Sequence, residues 1–251
     1  MSHRPIVLIT GASRAIGIGA AIAEALAASG WDVATTFWRP YDASMPWGSE
    51  PDEVHALRTR LETLGARSTA IEADLSSTEA ATRIFDAAER DLGPVTALVM
   101  SHCHSVDSDL LTTSIESFDL HFAVNARATW LLVREYGRRF GGDHGTGRIL
   151  SITSDHTAFN LPYGASKGAM DRIVLAAARE FASLGITANV INPGPVDTGW
   201  MTEEQMEQVR RETPLGRVAL PQDTANLVRF LCSPEGGWIN GQLLYSNGGI
   251  K

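Results

Sequence analysis

The chain has 251 residues, of which 44% are hydrophobic, and its 29 acidic against 21 basic residues give a net charge of −8 at neutral pH. This hydrophobic fraction supports a sizeable core and excludes an intrinsically disordered chain. The negative charge argues against nucleic acid or an anionic membrane surface as a partner. The two isolated cysteines, Cys103 and Cys232, indicate neither a disulfide framework nor a zinc site, and they fit a reducing compartment.

The first apolar run of the chain, PIVLI at residues 5–9, has only the length of a strand. It is too short for the core of a signal peptide or for a membrane span. We therefore expect a cytoplasmic protein that does not insert into a membrane.

Strand-like and helical patterns alternate along the whole chain. Short apolar runs predict seven strands, at residues 6–10, 33–37, 68–73, 95–100, 148–153, 187–191 and 242–245. Helical spacing predicts helices at residues 20–29, 51–64, 78–91, 115–140, 163–184 and 221–232. Strict alternation with short links is typical of parallel strands covered by helices on both faces. We predict an α/β, Rossmann-type doubly wound sheet that forms a single domain over residues 1–251.

Two stretches interrupt the alternation. Residues 38–51 are rich in Pro, Trp and Gly and predict an ordered loop. Residues 193–214 contain proline and glycine breaks around one short charged helix. Long loops at strand ends are where open α/β sheets bind their ligands, so both stretches are candidate parts of a site.

The loop after the first strand, TGASRAIGIG, is rich in glycine but lacks the G-x-G-x-x-G spacing. A phosphate site needs a tight turn, a helix N-terminus and an absence of bulky side chains. Gly11 can form the turn, Gly17 and Gly19 allow close approach of a diphosphate and a neighbouring strand, and Ser13 adds a hydroxyl donor. Taken alone, the loop is equally consistent with a purely structural turn.

The choice of nucleotide depends on the residues after the second strand. A dinucleotide site that prefers NAD usually has an acidic residue there for the ribose 2′-hydroxyl. Here the strand ends in Phe37-Trp38-Arg39, so Arg14 and Arg39 could instead flank a 2′-phosphate. This favours NADP(H). NAD(H) stays the alternative because Asp42 lies close by and both arginines could simply be solvated.

Tyr163 and Lys167 lie four residues apart on a predicted helix and so share a face. A phenol has a pKa of about 10, and a nearby ammonium favours the phenolate, so the pair is a candidate general acid and base. Such a pair also occurs by chance on ordinary helices. Two further polar residues support it: Ser154 follows the fifth strand, and Asn125, unfavourable in the middle of a helix, could hold a water.

These motifs together resemble the short-chain dehydrogenase/reductase family. The resemblance rests on TGASR…GIG, Asp74 after the third strand, Asn125, Ser154, Y-x-x-x-K and N-P-G-P-x-x-T, in order along nearly the whole chain. The segments PLGRV and INGQLLYSNGG are also similar to the closing segments of that family.

The resemblance implies a reaction in which hydride passes between a nicotinamide and a small carbonyl or alcohol substrate. Tyr163 would give a proton to the carbonyl oxygen, and Ser154 would polarise that carbonyl. Lys167 would bind the nicotinamide ribose and lower the pKa of the tyrosine, and Asn125 would hold a water that relays protons from Lys167. The family also implies a homotetramer packed through the helices that begin near Ile115 and Tyr163.

The resemblance further implies how the nucleotide is held. Asp74 would bind the adenine, Thr198 would bind the nicotinamide carboxamide, and segment 195–213 would close over the substrate as a lid. The expected cofactor set is Gly11, Ser13, Arg14, Gly17, Ile18, Gly19, Arg39, Asp74, Leu75, Tyr163, Lys167, Pro193, Gly194, Val196 and Thr198.

Four features depart from the family pattern. Two extra residues precede Gly17-Ile18-Gly19, and Met100-Ser101-His102-Cys103 replaces N-N-A-G, which normally braces the sheet. The segment from Ser154 to Tyr163 is shorter than usual, which makes the serine assignment less secure. The loop from Trp38 to Trp47 is longer than usual and could contact the adenosine end of the nucleotide.

Other readings of these residues are weaker. Neighbouring residues on a strand end point to opposite faces, so His102, Cys103 and His104 do not predict a metal site. Asp155 and His156 beside the serine lack the G-x-S-x-G elbow of a hydrolase. The leading interpretation is an NADPH-dependent carbonyl reductase; the alternatives are a nucleotide-binding regulator without catalysis and a lyase or dehalogenase on the same scaffold. The substrate stays open, because apolar residues such as Phe159, Leu161, Trp200 and Met201 could line a pocket or a subunit contact.

Overall fold

The computed structural model describes residues 4–49 and 52–250. In this part of the chain, seven strands form one parallel sheet in the order β3-β2-β1-β4-β5-β6-β7. They are β1 (Ile6–Thr10), β2 (Asp32–Phe37), β3 (Ser68–Glu72), β4 (Ala97–Met100), β5 (Arg148–Ile152), β6 (Thr187–Asn192) and β7 (Leu243–Tyr245). The strand order reverses between β1 and β4, and the carboxyl edge at such a reversal is where a doubly wound sheet opens a crevice. The predicted fold class is confirmed.

Helices connect the strands across both faces of the sheet. They are α1 (Ile18–Ala28), α2 (Arg39–Ser44), α3 (Glu53–Thr63), α4 (Ala80–Asp91), α5 (Ile115–His121), α6 (Ala128–Arg139), α7 (Leu161–Glu180), α8 (Glu203–Glu212) and α9 (Pro221–Cys232). Short 3₁₀ turns follow at Ala182–Leu184 and Pro234–Trp238.

The helix predicted over residues 115–140 is confirmed as one helical stretch, but it is not α-helical throughout. A π-helical turn, Phe122–Arg127, separates α5 from α6, and Asn125 lies inside it. The stretch predicted as a loop at residues 38–51 contains the six-residue helix α2, and its last two residues lie outside the described residues. The predicted start of α3 at Pro51 also lies outside them; the described helix begins at Glu53.

The core consists of two apolar layers, one on each face of the sheet. One layer packs α4, α6 and α7 against the sheet, and the other packs α1, α3 and α9 against it. Adjacent residues of β1 pack in different layers: Leu8 lies in the first layer and Val7 in the second. Burial on both faces explains why the strands are nearly continuous apolar runs. No helix among the described residues is both long and apolar enough to cross a membrane.

Candidate active site

A cavity of about 460 Å³ lies along the carboxyl edge of the sheet, at the reversal between β1 and β4. Its walls come from the loop after β1, the segment from β2 to Trp47, the loops after β3 and β4, and the segment after β6. Nine residues expected to hold a nucleotide line it: Gly11, Ser13, Arg14, Gly17, Ile18, Gly19, Asp74, Leu75 and Thr198. The remaining expected residues lie outside this lining: Arg39, Tyr163, Lys167, Pro193, Gly194 and Val196.

The loop after β1 forms a backbone cradle at the N-terminus of α1. A Cβ atom on Gly19 would lie 2.4 Å from the carbonyl oxygen of Gly11, and one on Gly11, whose φ is +74°, would lie 2.6 Å from the Cα of His102. Both positions therefore require glycine. Gly17 caps the helix in an extended conformation without a side-chain hydrogen bond, and the first N–H groups of a helix have no partner within it. The cradle fits a diphosphate, and the two extra residues leave it intact.

Arg14 enters the cavity from this loop and contacts an aromatic ring of the long loop after β2. Its guanidinium lies 4.2 Å from the ring centroid of Trp47, and that indole lies 4.5 Å from the indole of Trp200 in the segment after β6. Asp42, which is buried, also lines the cavity. Burial lowers the pKa of Arg14, and the nearby Asp42 carboxylate opposes this shift.

Arg39 lies outside the cavity and is paired with an acidic residue. The strand register places Phe37 opposite Glu72, so Arg39, two residues on, reaches the Glu72 carboxylate. Its Nε and Nη2 donate to the two carboxylate oxygens over 3.0 and 2.5 Å. Arg39 is thus engaged with Glu72 and is not part of the cavity lining, whereas Arg14 is.

His102 braces the sheet at the position where the expected N-N-A-G segment is replaced. Its Nδ1 lies 2.6 Å from the Thr10 hydroxyl and its Nε2 lies 3.1 Å from the Val124 carbonyl. This network assigns the proton to Nε2, so that Nδ1 accepts from Thr10. Burial lowers the pKa of His102 to about 3, which keeps the ring neutral. The next residue, Cys103, lines the cavity, and burial raises the pKa of its thiol.

Asn125 is fully buried and holds the loop after β4 against α7. Its Oδ1 accepts from the backbone N–H of His104 over 2.7 Å. Its Nδ2 donates to the carbonyl of His104 and to the hydroxyl of Ser166, both over 2.9 Å. These bonds use both amide hydrogens and leave one lone pair of Oδ1 for the expected water. The water-holding role of Asn125 stays a prediction; among the described residues, the partners of its amide are protein groups.

Tyr163, Ser154 and Lys167 come together outside the lining of the cavity, next to His102, which lines it. The Ser154 side chain lies close enough to the Tyr163 hydroxyl to act on its pKa, and the Ser154 oxygen accepts from the backbone N–H of His156 over 3.2 Å. Lys167 lies one turn along α7 and is 2% exposed. Its Nζ donates to the carbonyl of Ile152 over 2.8 Å and lies 5.7 Å from the ring centroid of Tyr163.

The expected lowering of the Tyr163 pKa by Lys167 is not what the structure gives. Burial raises the pKa of Tyr163 well above its usual value, and the nearby Ser154 side chain opposes this shift only in part. The Lys167 ammonium is directed at the carbonyls of Ile152 and His102, and burial lowers its own pKa. In the free protein, Tyr163 therefore keeps its proton at neutral pH.

Several lining residues were not expected from their sequence positions. Tyr41 crosses the edge of the sheet from α2, donating to the carbonyl of Ser105 over 3.3 Å and accepting from its N–H over 3.2 Å. His104 lies between Tyr41 and His121 in tilted and edge-on ring contacts, with ring centroids 5.3 and 4.6 Å away. In the sequence, only the length and the aromatic content of the loop after β2 indicated that this loop could contribute to the site. Phe159, considered for a substrate pocket, is 81% exposed.

The chain is similar to known proteins over nearly its whole length. Residues 11–251 match the family described as enoyl-(acyl carrier protein) reductase. The chain is 36% identical to the uncharacterized oxidoreductase YjdA of Bacillus subtilis over 100% of this chain and 99% of that protein. It is 33% identical to the NADPH-dependent aldehyde reductase-like protein, chloroplastic, of Arabidopsis thaliana, over 97% of this chain and 93% of that protein.

Solved structures give the same result. A dehydrogenase/reductase from Sinorhizobium meliloti 1021 superposes with a TM-score of 0.85 at 32% identity, covering 98% of this chain and 94% of that one. A blue fluorescent protein from a metagenomic library, solved in complex with NADPH, gives a TM-score of 0.86 at 31% identity, covering 98% and 97%. With its parallel sheet, its glycine cradle and the Ser154, Tyr163 and Lys167 cluster, the chain is an oxidoreductase that belongs to the short-chain dehydrogenase/reductase family.

Proposed function

We propose that the protein reduces the carbonyl group of a small molecule with NADPH, and that Tyr163 gives the proton to the carbonyl oxygen. The observation that carries this proposal is the position of Lys167, whose Nζ lies 5.7 Å from the Tyr163 ring centroid and 3.4 Å from the carbonyl of His102, a residue that lines the cavity with the glycine cradle. The same groups serve the reverse oxidation of an alcohol, since Tyr163 then accepts the proton.

The residues of the cavity suit a nicotinamide nucleotide. The glycine cradle would hold the diphosphate, Arg14 the 2′-phosphate, Asp74 the adenine and Thr198 the carboxamide. When bound, the reduced nucleotide supplies the hydride. NADPH is favoured over NADH because Arg14 lines the cavity, because the Arabidopsis relative is named as NADPH-dependent, and because one similar structure contains NADPH.

The proton transfer follows from the burial of Tyr163. Because burial raises its pKa, the phenol holds at neutral pH the proton that it must donate. Ser154 would hold the substrate oxygen beside that phenol. Transfer leaves a phenolate near the Lys167 ammonium, which lies 5.7 Å from the ring centroid and stabilises the negative charge. Lys167 would bind the nicotinamide ribose in place of the longer of its two hydrogen bonds to carbonyl groups, which is the one of 3.4 Å to His102.

Three wider expectations join this proposal. The first is a single domain with a lid at residues 195–213. The lid is supported by the helix α8, which lies within that segment and has no buried residue. A homotetramer through α5, α6 and α7 is supported by apolar side chains that face solvent, with Ile115 77% and Trp130 47% exposed. The cytoplasmic location stays a prediction. Light scattering of the purified protein checks the tetramer.

The direct test mixes the protein with NADPH and a panel of aldehydes and ketones, and follows nicotinamide absorbance. We expect turnover of at least one compound, and the same panel with NADH should be reduced with a lower kcat/KM. Nucleotide binding without turnover on a broad panel would contradict the reductase and support the regulator without catalysis.

A further inference from the structure

The indole of Trp47 contacts two groups of opposite charge in the nucleotide cavity. Its face lies 4.2 Å from the guanidinium carbon of Arg14. Its edge donates a hydrogen bond from Nε1 to Oδ1 of Asp42 over 3.4 Å. One ring therefore holds a cation by its face and an anion by its N–H group, and all three side chains line the cavity.

Arg14 and Asp42 lie near each other without pairing. Asp42 acts on Arg14 through its charge, but among the described residues the Arg14 guanidinium has no hydrogen-bonded or ion-paired partner. A guanidinium that stacks on an aromatic face keeps its N–H groups free in its own plane. Those donors are the ones a phosphate uses. Arg14 is thus held ready for an anion within the cavity.

Contacts on both sides of Trp47 hold its indole next to Arg14. On one side, the segment after β2 that carries Trp47 is held by Tyr41, whose hydroxyl forms two hydrogen bonds with the backbone of Ser105. On the other side Trp47 contacts Trp200, from a segment distant in sequence. A Cβ atom on Gly199 would lie 3.1 Å from Nη2 of Arg14, so that segment also confines the guanidinium.

We propose that Trp47 is a positioning residue that sets the preference for NADPH over NADH, because it keeps Arg14 from pairing with Asp42. Without the indole, Arg14 and Asp42 are free to form an ion pair that occupies the phosphate-binding donors. The Asp42 carboxylate would also lose its N–H partner and repel the 2′-phosphate. This inference rests on the assignment of Arg14 to the 2′-phosphate in the proposed function.

The test measures dissociation constants for NADPH and NADH by titration of the wild type, Trp47→Ala, Trp47→Phe and the double variant Trp47→Ala/Asp42→Asn. We expect Trp47→Ala to weaken NADPH by about 10-fold and NADH by less than about 2-fold. Trp47→Phe keeps an aromatic face but lacks the N–H, so its loss should be smaller. Asp42→Asn in the Trp47→Ala background should restore most of the NADPH affinity, since it removes the competing charge.

A matched control is Trp238→Ala, because Trp238 is 97% exposed in the 3₁₀ turn after α9 and should leave both affinities unchanged. Equal weakening of NADPH and NADH by Trp47→Ala, or no rescue by Asp42→Asn, would overturn the inference. Should Trp47→Ala fail to fold, Trp47→Leu decides, because it fills space but removes both the aromatic face and the N–H, and an unchanged NADPH to NADH ratio in that variant would overturn the inference. A wild type that binds both nucleotides equally would instead refute the proposed cofactor preference.

Discussion

Two neighbouring regions are built in different ways: the cavity around Arg14 and Trp47, the nucleotide end, and the polar cluster around Tyr163 and Lys167 outside its lining, the catalytic end. At the catalytic end, buried polar groups are joined by hydrogen bonds to backbone: Lys167 to Ile152, Asn125 to His104, and His102 to Val124. At the nucleotide end, Arg14 and the indoles of Trp47 and Trp200 meet through ring contacts instead. Hydrogen bonds fix atoms in one geometry, whereas ring contacts tolerate small shifts.

This difference assigns different tasks to the two ends. A group that transfers a proton must be within hydrogen-bond reach of the reacting atom, so the catalytic end gains from a saturated network. The nucleotide end must admit and release a long ligand, and stacked side chains on loops part more readily than buried hydrogen bonds. We therefore expect substitutions at the catalytic end to remove turnover or stability, and those at the nucleotide end to cause graded losses of affinity.

The largest effect should come from Tyr163→Phe. Loss of the phenolic proton should lower kcat by about 10²- to 10⁴-fold, while the dissociation constant for NADPH stays nearly unchanged. Turnover is measured by nicotinamide absorbance. Tyr245→Phe, at a half-exposed tyrosine of β7, is the control. Normal turnover of the Tyr163→Phe protein would remove the acid and base assignment.

His102→Ala tests the brace of the catalytic end. It leaves the Thr10 hydroxyl and the Val124 carbonyl without their partner, so we expect the free energy of unfolding to fall by roughly 2–4 kcal/mol. Urea unfolding at neutral pH measures this change, with His55→Ala on the exposed face of α3 as the control. A decrease in the free energy of unfolding no larger than that of the control would show that the His102 ring does not stabilise the fold.

The same pair of proteins gives a pH dependence. The folded pKa of His102 is lowered to about 3, below its unfolded value of about 6.5. The neutral ring therefore contributes stability above pH about 6.5, and this contribution declines as the pH falls toward 3. The stability difference between the wild type and His102→Ala should shrink on acidification; a constant difference would contradict the lowered pKa.

Gly19→Ala tests the cradle at the nucleotide end. The new Cβ would lie 2.4 Å from the carbonyl of Gly11, so either α1 or the loop must shift, at a cost of about 1–3 kcal/mol. We expect weaker binding of NADPH and NADH alike, measured by titration. The matched control is Gly168→Ala in α7, where a Cβ meets no atom within 4 Å. Wild-type affinity in Gly19→Ala would exclude the cradle as the diphosphate site.

The smallest effect should come from the two arginines of the adenosine end. Arg14→Ala removes a cation that lines the cavity and should weaken NADPH by about 10-fold and NADH little. Arg39→Ala should change either affinity by less than about 2-fold, because that side chain is paired with Glu72 outside the cavity. Equal losses for both variants would restore the original expectation that the two arginines share the phosphate.

Much of the fold was predictable because its signals are local. Strands buried on both faces must be apolar along their length, so β1 and β4 are visible in the sequence itself. The π-helical turn around Asn125 was not predictable, because it is stabilised by the loop after β4 and by Ser166 on α7. The helix α2 was missed since six residues with a proline carry too weak a pattern.

The sequence by itself determined the order of strands and helices, the cradle at the N-terminus of α1, and the family, since these depend on residue types at fixed spacing along one segment. Only the tertiary structure decided that Arg14 rather than Arg39 faces the cavity, that His102 braces the sheet, and that burial raises the pKa of Tyr163. Each of these depends on burial and on partners from distant segments. The contact of Trp47 with Trp200 is the clearest case, because it exists only after β2 and β6 take their places in one sheet.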